Sequence, residues 1–332
     1  MIKVEHLTKY YGDFLAVDDL SFEIDEGHVY GFLGPNGAGK STTMNMMTGC
    51  LSATSGRVEV DGFDLFEDAG QAKKRIGYLP EQPPLYMNEM PVEYLRFVGE
   101  AKGLRGAELE RQIQAVIEQV RIAEVRNRRI SDLSKGYKQR VGIAQALLGN
   151  PKVIILDEPT VGLDPIQIIE IRDLIKQLGQ DHTVILSSHI LSEVQAICDK
   201  ILIIAHGRLV AFDEPDKLEQ SLLSGSEILF TTDASAGRVQ EILAGVDQIG
   251  EVTWEEKEGG RLSVRMKTSA RDIYEVSQAL FFAFAAAGQA LLELTLKRAS
   301  LEDIFLELTE NGEAAGQAPA GETTEEPEGA RA

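Results

Sequence analysis

Three short runs in this sequence carry residue types that handle phosphate. The first is Gly34-Pro35-Asn36-Gly37-Ala38-Gly39-Lys40-Ser41. Its glycines let the backbone wrap an anion with N–H groups turned inward. The helix-compatible run that follows, Lys40 to Thr48, presents the positive end of its dipole to the same anion. Lys40 can reach the β- and γ-phosphates of a nucleotide, and the Ser41 hydroxyl can hold Mg²⁺. Gly34, Asn36, Gly37, Ala38, Gly39, Lys40, Ser41 and Thr42 are therefore expected to contact the nucleotide.

The second run, Val153-Ile154-Ile155-Leu156-Asp157-Glu158, is an apolar strand ending in two acids. An acid at that strand end holds magnesium in P-loop enzymes, which assigns Asp157 as a metal ligand. Glu158 projects towards the γ-phosphate and is the candidate general base for the attacking water. The third feature is His189, which follows Val184-Ile185-Leu186 through Ser187-Ser188. A histidine there could bond the γ-phosphate and orient both Glu158 and the water.

These residues need a scaffold that brings strand ends together. Residues 1 to about 30 alternate apolar and polar side chains and read as two or three strands. Val29 to Leu33 is a short apolar strand feeding the glycine-rich turn, and Gly56 to Val60 is another strand. Residues 92 to 149 are mostly helical in pattern, with Ile113, Val116, Ile117 and Val120 on one face. Strand-like Val153–Leu156, Val184–Leu186 and Ile201–Ile204 alternate with helical Ile166–Leu178 and Leu191–Cys198. Such alternation predicts an α/β fold with a parallel sheet covered on both faces. His206-Gly207 turns a hairpin into Arg208–Phe212.

Composition excludes several functions. The 332 residues carry 53 acidic against 33 basic side chains, a formal charge of −20. A nucleic-acid binder needs a basic face, and no block of Lys and Arg supplies one. The longest apolar run, Ala279 to Gly288, is about half of the roughly 20 residues a membrane span needs, and reads as a buried helix. The opening residues contain no apolar signal segment. Cys50 and Cys198 lie in apolar contexts without metal-type spacing and read as buried thiols in a reducing compartment.

Taken in order, the loop at 34–41, Leu133-Ser134-Lys135-Gly136-Tyr137-Lys138-Gln139-Arg140, Asp157-Glu158-Pro159-Thr160, Gly162-Leu163-Asp164-Pro165 and His189 resemble the nucleotide-binding subunit of ABC transporters. The resemblance covers residues 1 to about 215. It implies a P-loop ATPase core: a mixed sheet with flanking helices, an antiparallel N-terminal β subdomain and a helical subdomain at about 85–150. It implies ATP and Mg²⁺ as cofactors and a head-to-tail dimer, in which Ser134 and Gly136 meet the γ-phosphate held by the other copy. Asp164 matches the residue at the dimer seam. Tyr11, or next to it Tyr10, matches the aromatic that stacks on adenine. The glutamine that helps ligate magnesium in the family falls at Glu81 here, with Gln82 one residue later as the alternative. Lys135 and Tyr137 also depart from the commonest family form.

These departures, with Ser300 to Thr309 near the C-terminus, resemble the ABC-2 exporter branch. That resemblance implies a separate transmembrane permease as partner, with the chain in the cytoplasm at the inner face of the membrane. Pro83 to Pro91, with Tyr86, Met87 and Met90, is the expected docking surface for the permease. Residues 220–310 read as an accessory α+β domain, with helical Asp272–Gly288 between strand-like Arg261–Met266 and Leu291–Leu296. Residues 311–332, rich in Ala, Gly, Pro, Thr and Glu, read as a disordered tail. A non-transport ABC ATPase acting on ribosomes or nucleic acid is disfavoured by the charge and by the single cassette.

Overall fold

The computed structural model describes residues 1–221, 226–257, 259–268, 270 and 272–297. Ser300–Thr309 and the expected disordered tail lie outside the described residues. Strands β1 (Ile2–Tyr11) and β2 (Phe14–Ile24) open the chain, followed by β3 (Val29–Leu33) and helix α1 (Lys40–Met47). Strands β4 (Ser55–Val60) and β5 (Phe63–Asp64) and helix α2 (Ala69–Lys74) lead to β6 (Ile76–Leu79). Helices α3 (Pro91–Ala101), α4 (Gly106–Gln119) and α5 (Lys135–Leu147) follow. Then come β7 (Val153–Leu156), α6 (Pro165–Leu178), β8 (Thr183–Ser188), α7 (Leu191–Ile197), β9 (Lys200–Ala205), β10 (Arg208–Asp213) and α8 (Pro215–Ser221).

The apolar strands anticipated from sequence assemble into a six-stranded sheet of order β10-β9-β3-β8-β7-β6. Its pairs are parallel except β9 with β10. Every residue of β7 is buried because the sheet is covered on both sides. Successive side chains of a strand point to opposite faces. Val153 and Ile155 accordingly enter one core with Met44, Met46 and Met47 of α1 and the apolar face of β1 and β2. Ile154 and Leu156 enter the other, built from α3 to α7. Each such side chain withdrawn from water contributes about 1.5–3 kcal/mol, so the alternation holds the sheet's register. The first face is capped by α1 and by a second, antiparallel sheet of order β2-β1-β4-β5.

Helix α5 lies directly on β6. A Cβ at Gly77 would sit 2.2 Å from the Ala146 carbonyl oxygen, so only glycine allows that approach. This contact fixes the helix that begins at Ser134 relative to the strand that ends before Glu81. Strands β5 and β6 and helix α2 carry too little periodicity to be read from sequence.

Beyond residue 225 the chain forms β11 (Ser226–Thr232), α9 (Ala236–Leu243), β12 (Ile249–Lys257), β13 (Arg261–Thr268), α10 (Ile273–Ala286) and β14 (Leu291–Lys297). The antiparallel sheet has order β12-β13-β11-β14, the split βαβ arrangement of ferredoxin-like units. Leu262, Val264 and Met266 of β13 face Val239 of α9 and Val276, Leu280 and Phe284 of α10. Arg261, Arg265 and Lys267 alternate with them and are exposed.

Two expectations are corrected. The run Ala279–Gly288 is only partly buried: Leu280 and Phe284 are buried in the core and Ala283 and Ala287 pack against it, while Phe281 and Phe282 are more than half exposed. A helix lying on one face of a single sheet buries only one stripe. Cys198 is buried as expected, but Cys50 is exposed. It follows Gly49, whose φ of +68° turns the chain outward after α1.

Gly77→Ala is expected to destabilise the protein by about 3 kcal/mol, because helix and strand must separate. Gly70→Ala, in exposed helix α2 with nothing near its added Cβ, is expected to stabilise by about 0.5 kcal/mol. Urea midpoints followed by circular dichroism check both signs.

Candidate functional site

The glycine-rich loop joins the end of β3 to the start of α1. Gly37 and Gly39 have φ of +81° and +99°, which glycine alone adopts without strain. A Cβ at Gly34 would lie 2.4 Å from the Ile204 carbonyl oxygen, and one at Gly39 would lie 2.6 Å from that of Ala16. The Gly207 N–H donates to the Ala38 carbonyl at 3.1 Å. Asn36 and Gly37 are exposed at the loop's crest, and Thr42 is partly buried in the first turn of α1.

Lys40 is 6% exposed and donates to the carbonyls of Gly34 (2.8 Å) and Pro35 (3.1 Å). Burial lowers the pKa of its ammonium, and the nearby Glu158, Asp157 and Glu81 carboxylates oppose that shift. Its Nζ lies 3.9 Å from Glu158 Oε1. His189 Nδ1 stands 3.0 Å from Oε2 and 3.2 Å from Oε1 of the same carboxylate. Glu158 is itself in left-handed backbone, with φ of +48°. For a non-glycine residue this costs about 1–3 kcal/mol and persists only where surroundings enforce it.

The enforcing group is Ser187, fully buried at the end of β8. Its hydroxyl donates to Asp157 Oδ1 at 2.6 Å and accepts the Glu158 N–H at 2.7 Å. The Ser41 hydroxyl donates to the same Asp157 oxygen at 3.2 Å. Asp157 N–H donates to the Leu79 carbonyl at 2.8 Å, which places the chain leading to Glu81 beside Asp157. Sequence reasoning passed over Ser187 as a connector. Its role depends on β8 lying next to β7, a pairing between residues about thirty positions apart.

Ser41 and Asp157 offer hard oxygen donors on neighbouring elements, a donor set that suits Mg²⁺. Glu81 is exposed and acts on Lys40 through space. Gln82, also exposed, has no hydrogen bond among the described residues. Tyr11, half exposed, pairs with Phe14 at the tip of the β1–β2 hairpin, whose Ala16 touches Gly39. Tyr10 next to it is 44% exposed.

The structure does not bring every expected residue to this loop. Ser134, Gly136 and Asp164 line a separate open groove of about 550 Å³ with Tyr137, Gln167 and Glu170. Ser134 caps α5, its hydroxyl accepting the Tyr137 N–H at 3.4 Å. Asp164 caps α6 by accepting the Gln167 N–H at 2.9 Å. Gly136 gives close passage to the Gln167 side chain. Lys135 reaches over Gly162, and the Tyr137 hydroxyl bonds Glu124.

The glycine-rich loop, two strand-end carboxylates and a histidine meet at the C-terminal ends of neighbouring strands, and comparison with known proteins identifies the chain's family. The family profile described as ABC transporter matches residues 17–161. The linearmycin resistance ATP-binding protein LnrL of Bacillus subtilis (strain 168) is 33% identical over 310 residues, covering 93% of this chain and 98% of that protein. The chain belongs to the ABC transporter ATP-binding family. The bacitracin transport ATP-binding protein BcrA of Bacillus licheniformis is 40% identical over 228 residues, 67% of this chain and 74% of that protein. A solved ATP-binding cassette, dimeric and in a post-hydrolysis state bound to ADP and Pi, aligns with a TM-score of 0.58 at 26% identity, over 64% of this chain and 98% of that one. This ABC protein is thus an ATPase and an ATP-binding subunit. No helix among the described residues is long and apolar enough to cross a membrane.

Ser187→Ala is expected to slow ATP hydrolysis by about 10- to 100-fold, since the hydroxyl that holds Asp157 Oδ1 and the Glu158 N–H is lost. Steady-state phosphate release at saturating ATP measures it.

Proposed function

We propose that this chain hydrolyses Mg-ATP as a head-to-tail dimer and thereby drives a separate transmembrane permease, an exporter of the ABC-2 type. The observation that carries the reading is the Glu158 carboxylate, 8% exposed and set between Lys40 and His189 beside the Ser41–Asp157 pair.

In this reading the loop from Gly34 to Thr42 binds the phosphates through its N–H groups and Lys40 neutralises the γ-phosphate. Ser41, Asp157 and Glu81 hold magnesium, which when bound screens the charge between phosphate oxygens. Glu158 accepts hydrogen bonding from the attacking water and polarises it. His189 keeps the carboxylate and the water aligned with the γ-phosphate. Tyr11 stacks on the adenine. Because Ser134, Gly136 and Asp164 line a groove apart from this loop, they complete the site of a second copy, where the α5 N-terminus meets the partner's γ-phosphate. ATP then joins the two copies, and hydrolysis releases them.

The permease docks on the surface after Glu81. There Tyr86 and Phe97, both about half exposed, pack at 5.3 Å between ring centroids, with Met87 exposed beside them. Aromatic and methionine side chains suit an adaptable helix contact. Relatives named for linearmycin resistance and bacitracin transport support export as the direction. Residues 1–215 form the ATPase in this reading and 220–310 an accessory domain.

Glu158→Gln is expected to lower kcat by about 10²–10⁴-fold and to accumulate an ATP-bound dimer on size exclusion. A monomer that still turns over ATP would show that another group activates the water. Lys40→Ala is expected to weaken ATP binding by about 10- to 100-fold in calorimetry, the loss of a charged hydrogen bond. Tyr86→Glu is expected to keep basal hydrolysis but abolish co-purification with the permease.

A further inference from the structure

Glu193 is a carboxylate buried to 3% exposure in α7, outside the residues assigned above. Burying a carboxylate is unfavourable unless it is paired and hydrogen-bonded. Its Oε2 accepts the Thr160 hydroxyl at 2.6 Å and the Ser188 hydroxyl at 3.3 Å. Its Oε1 lies 3.6 Å from Arg172 Nη2 of α6, too far for a hydrogen bond, and Arg172 Nε is buried with no hydrogen-bond partner among the described residues. The hydroxyls therefore supply the hydrogen bonds to the carboxylate, and the guanidinium is a longer-range ion-pair partner. A bond of 2.6 Å between a hydroxyl and an ionised carboxylate belongs to the strong, charge-assisted class.

The placement of those hydroxyls gives the arrangement its meaning. Thr160 stands two residues after Glu158 and on the turn that leads to Asp164. Ser188 immediately precedes His189, and its oxygen also accepts the Ile190 N–H at 3.0 Å. The backbone on both sides of His189 is thus tied to one hydroxyl, and that hydroxyl is tied to Glu193. One carboxylate grips the segment after the base and the segment that carries the histidine, which fixes the 3.0 Å separation of His189 and Glu158. The same grip joins that pair to the Thr160–Asp164 turn and so to the groove of Ser134.

We infer that Glu193 is a positioning residue for ATP hydrolysis, holding His189, Glu158 and the Thr160–Asp164 turn in one register without touching nucleotide. The inference rests on the roles proposed for Glu158 and His189. A group with this task changes the rate of the chemical step and leaves ATP binding to the loop intact.

The test compares Thr160→Val, Thr160→Ser, Glu193→Gln and Glu193→Ala in the full chain, with Glu158→Gln measured alongside. Phosphate release against ATP concentration at fixed Mg²⁺ yields kcat and KM. Thr160→Val removes only the hydroxyl at nearly constant shape, so it remains informative if Glu193→Ala fails to fold. It is expected to lower kcat about tenfold with KM within about twofold, consistent with one charge-assisted hydrogen bond. Thr160→Ser is expected to restore at least half of kcat, and Glu193→Gln, which keeps an acceptor oxygen, to fall between. Full kcat in both Thr160→Val and Glu193→Gln would overturn the inference. So would a loss in Thr160→Ser as deep as in Thr160→Val, or a loss confined to KM. If Glu158→Gln itself hydrolyses ATP normally, the assignment of the base fails instead, whatever the Glu193 variants do.

Discussion

Lys40, Asp157 and Glu158 are all more than nine-tenths buried beyond the C-terminal ends of central strands of an apolar sheet, and the surrounding structure answers that constraint. Isolated charges withdrawn from water would be unfavourable by several kcal/mol each. Here each is partnered, and Asp157 and Glu158 are partnered by elements distant in sequence. Lys40 is held by carbonyls of its own loop, Asp157 by two hydroxyls, and Glu158 by a lysine and a histidine. The parallel sheet makes this possible because the C-terminal ends of β3, β7 and β8 lie side by side. Helix dipole, loop N–H groups and carboxylates then converge where strand order places them.

The second groove obeys a different logic. Ser134 and Asp164 each cap a helix, and those caps are satisfied within the chain. Their side chains thus contribute to folding independently of any ligand. The proposed dimer uses what the caps leave over, the free N–H groups of the α5 start and the open space in front of them. A residue can serve helix and partner at once only if its geometry suits both, which ties the shape of the groove to the stability of α5 and α6.

Much of this was legible before the structure. The strands Val29–Leu33, Val153–Leu156, Val184–Leu186 and Ile201–Ile204 are short apolar runs between helical stretches, a pattern a covered parallel sheet requires. The loop at 34–41 and the Asp157-Glu158 pair are contiguous, so their chemistry shows in local order. Ser187 and Glu193 were not legible, because each acts partly through a bond to a residue about thirty positions away, and a serine or a glutamate carries no such signal alone. In the C-terminal unit only β13, α10 and β14 had clear patterns. Strand β12 is mostly exposed and has little apolar alternation to read. Burial was the weakest inference. Phe281 and Phe282 look like core residues in a composition-based reading, and only the position of the sheet shows that they face outward.

The glycine-rich loop is stapled from outside at several points: Gly39 against Ala16, Gly34 against Ile204, and Ala38 to Gly207, whose own carbonyl accepts the Asp18 N–H. Two stretches of chain, residues 16–18 and 204–207, therefore hold its path. In the proposed reading, a loop already confined in this way loses little conformational freedom when a triphosphate settles into it. Its affinity is then governed by how well the anion matches a rigid mould, so analogues that differ in phosphate geometry should be discriminated more sharply than those that differ in the base.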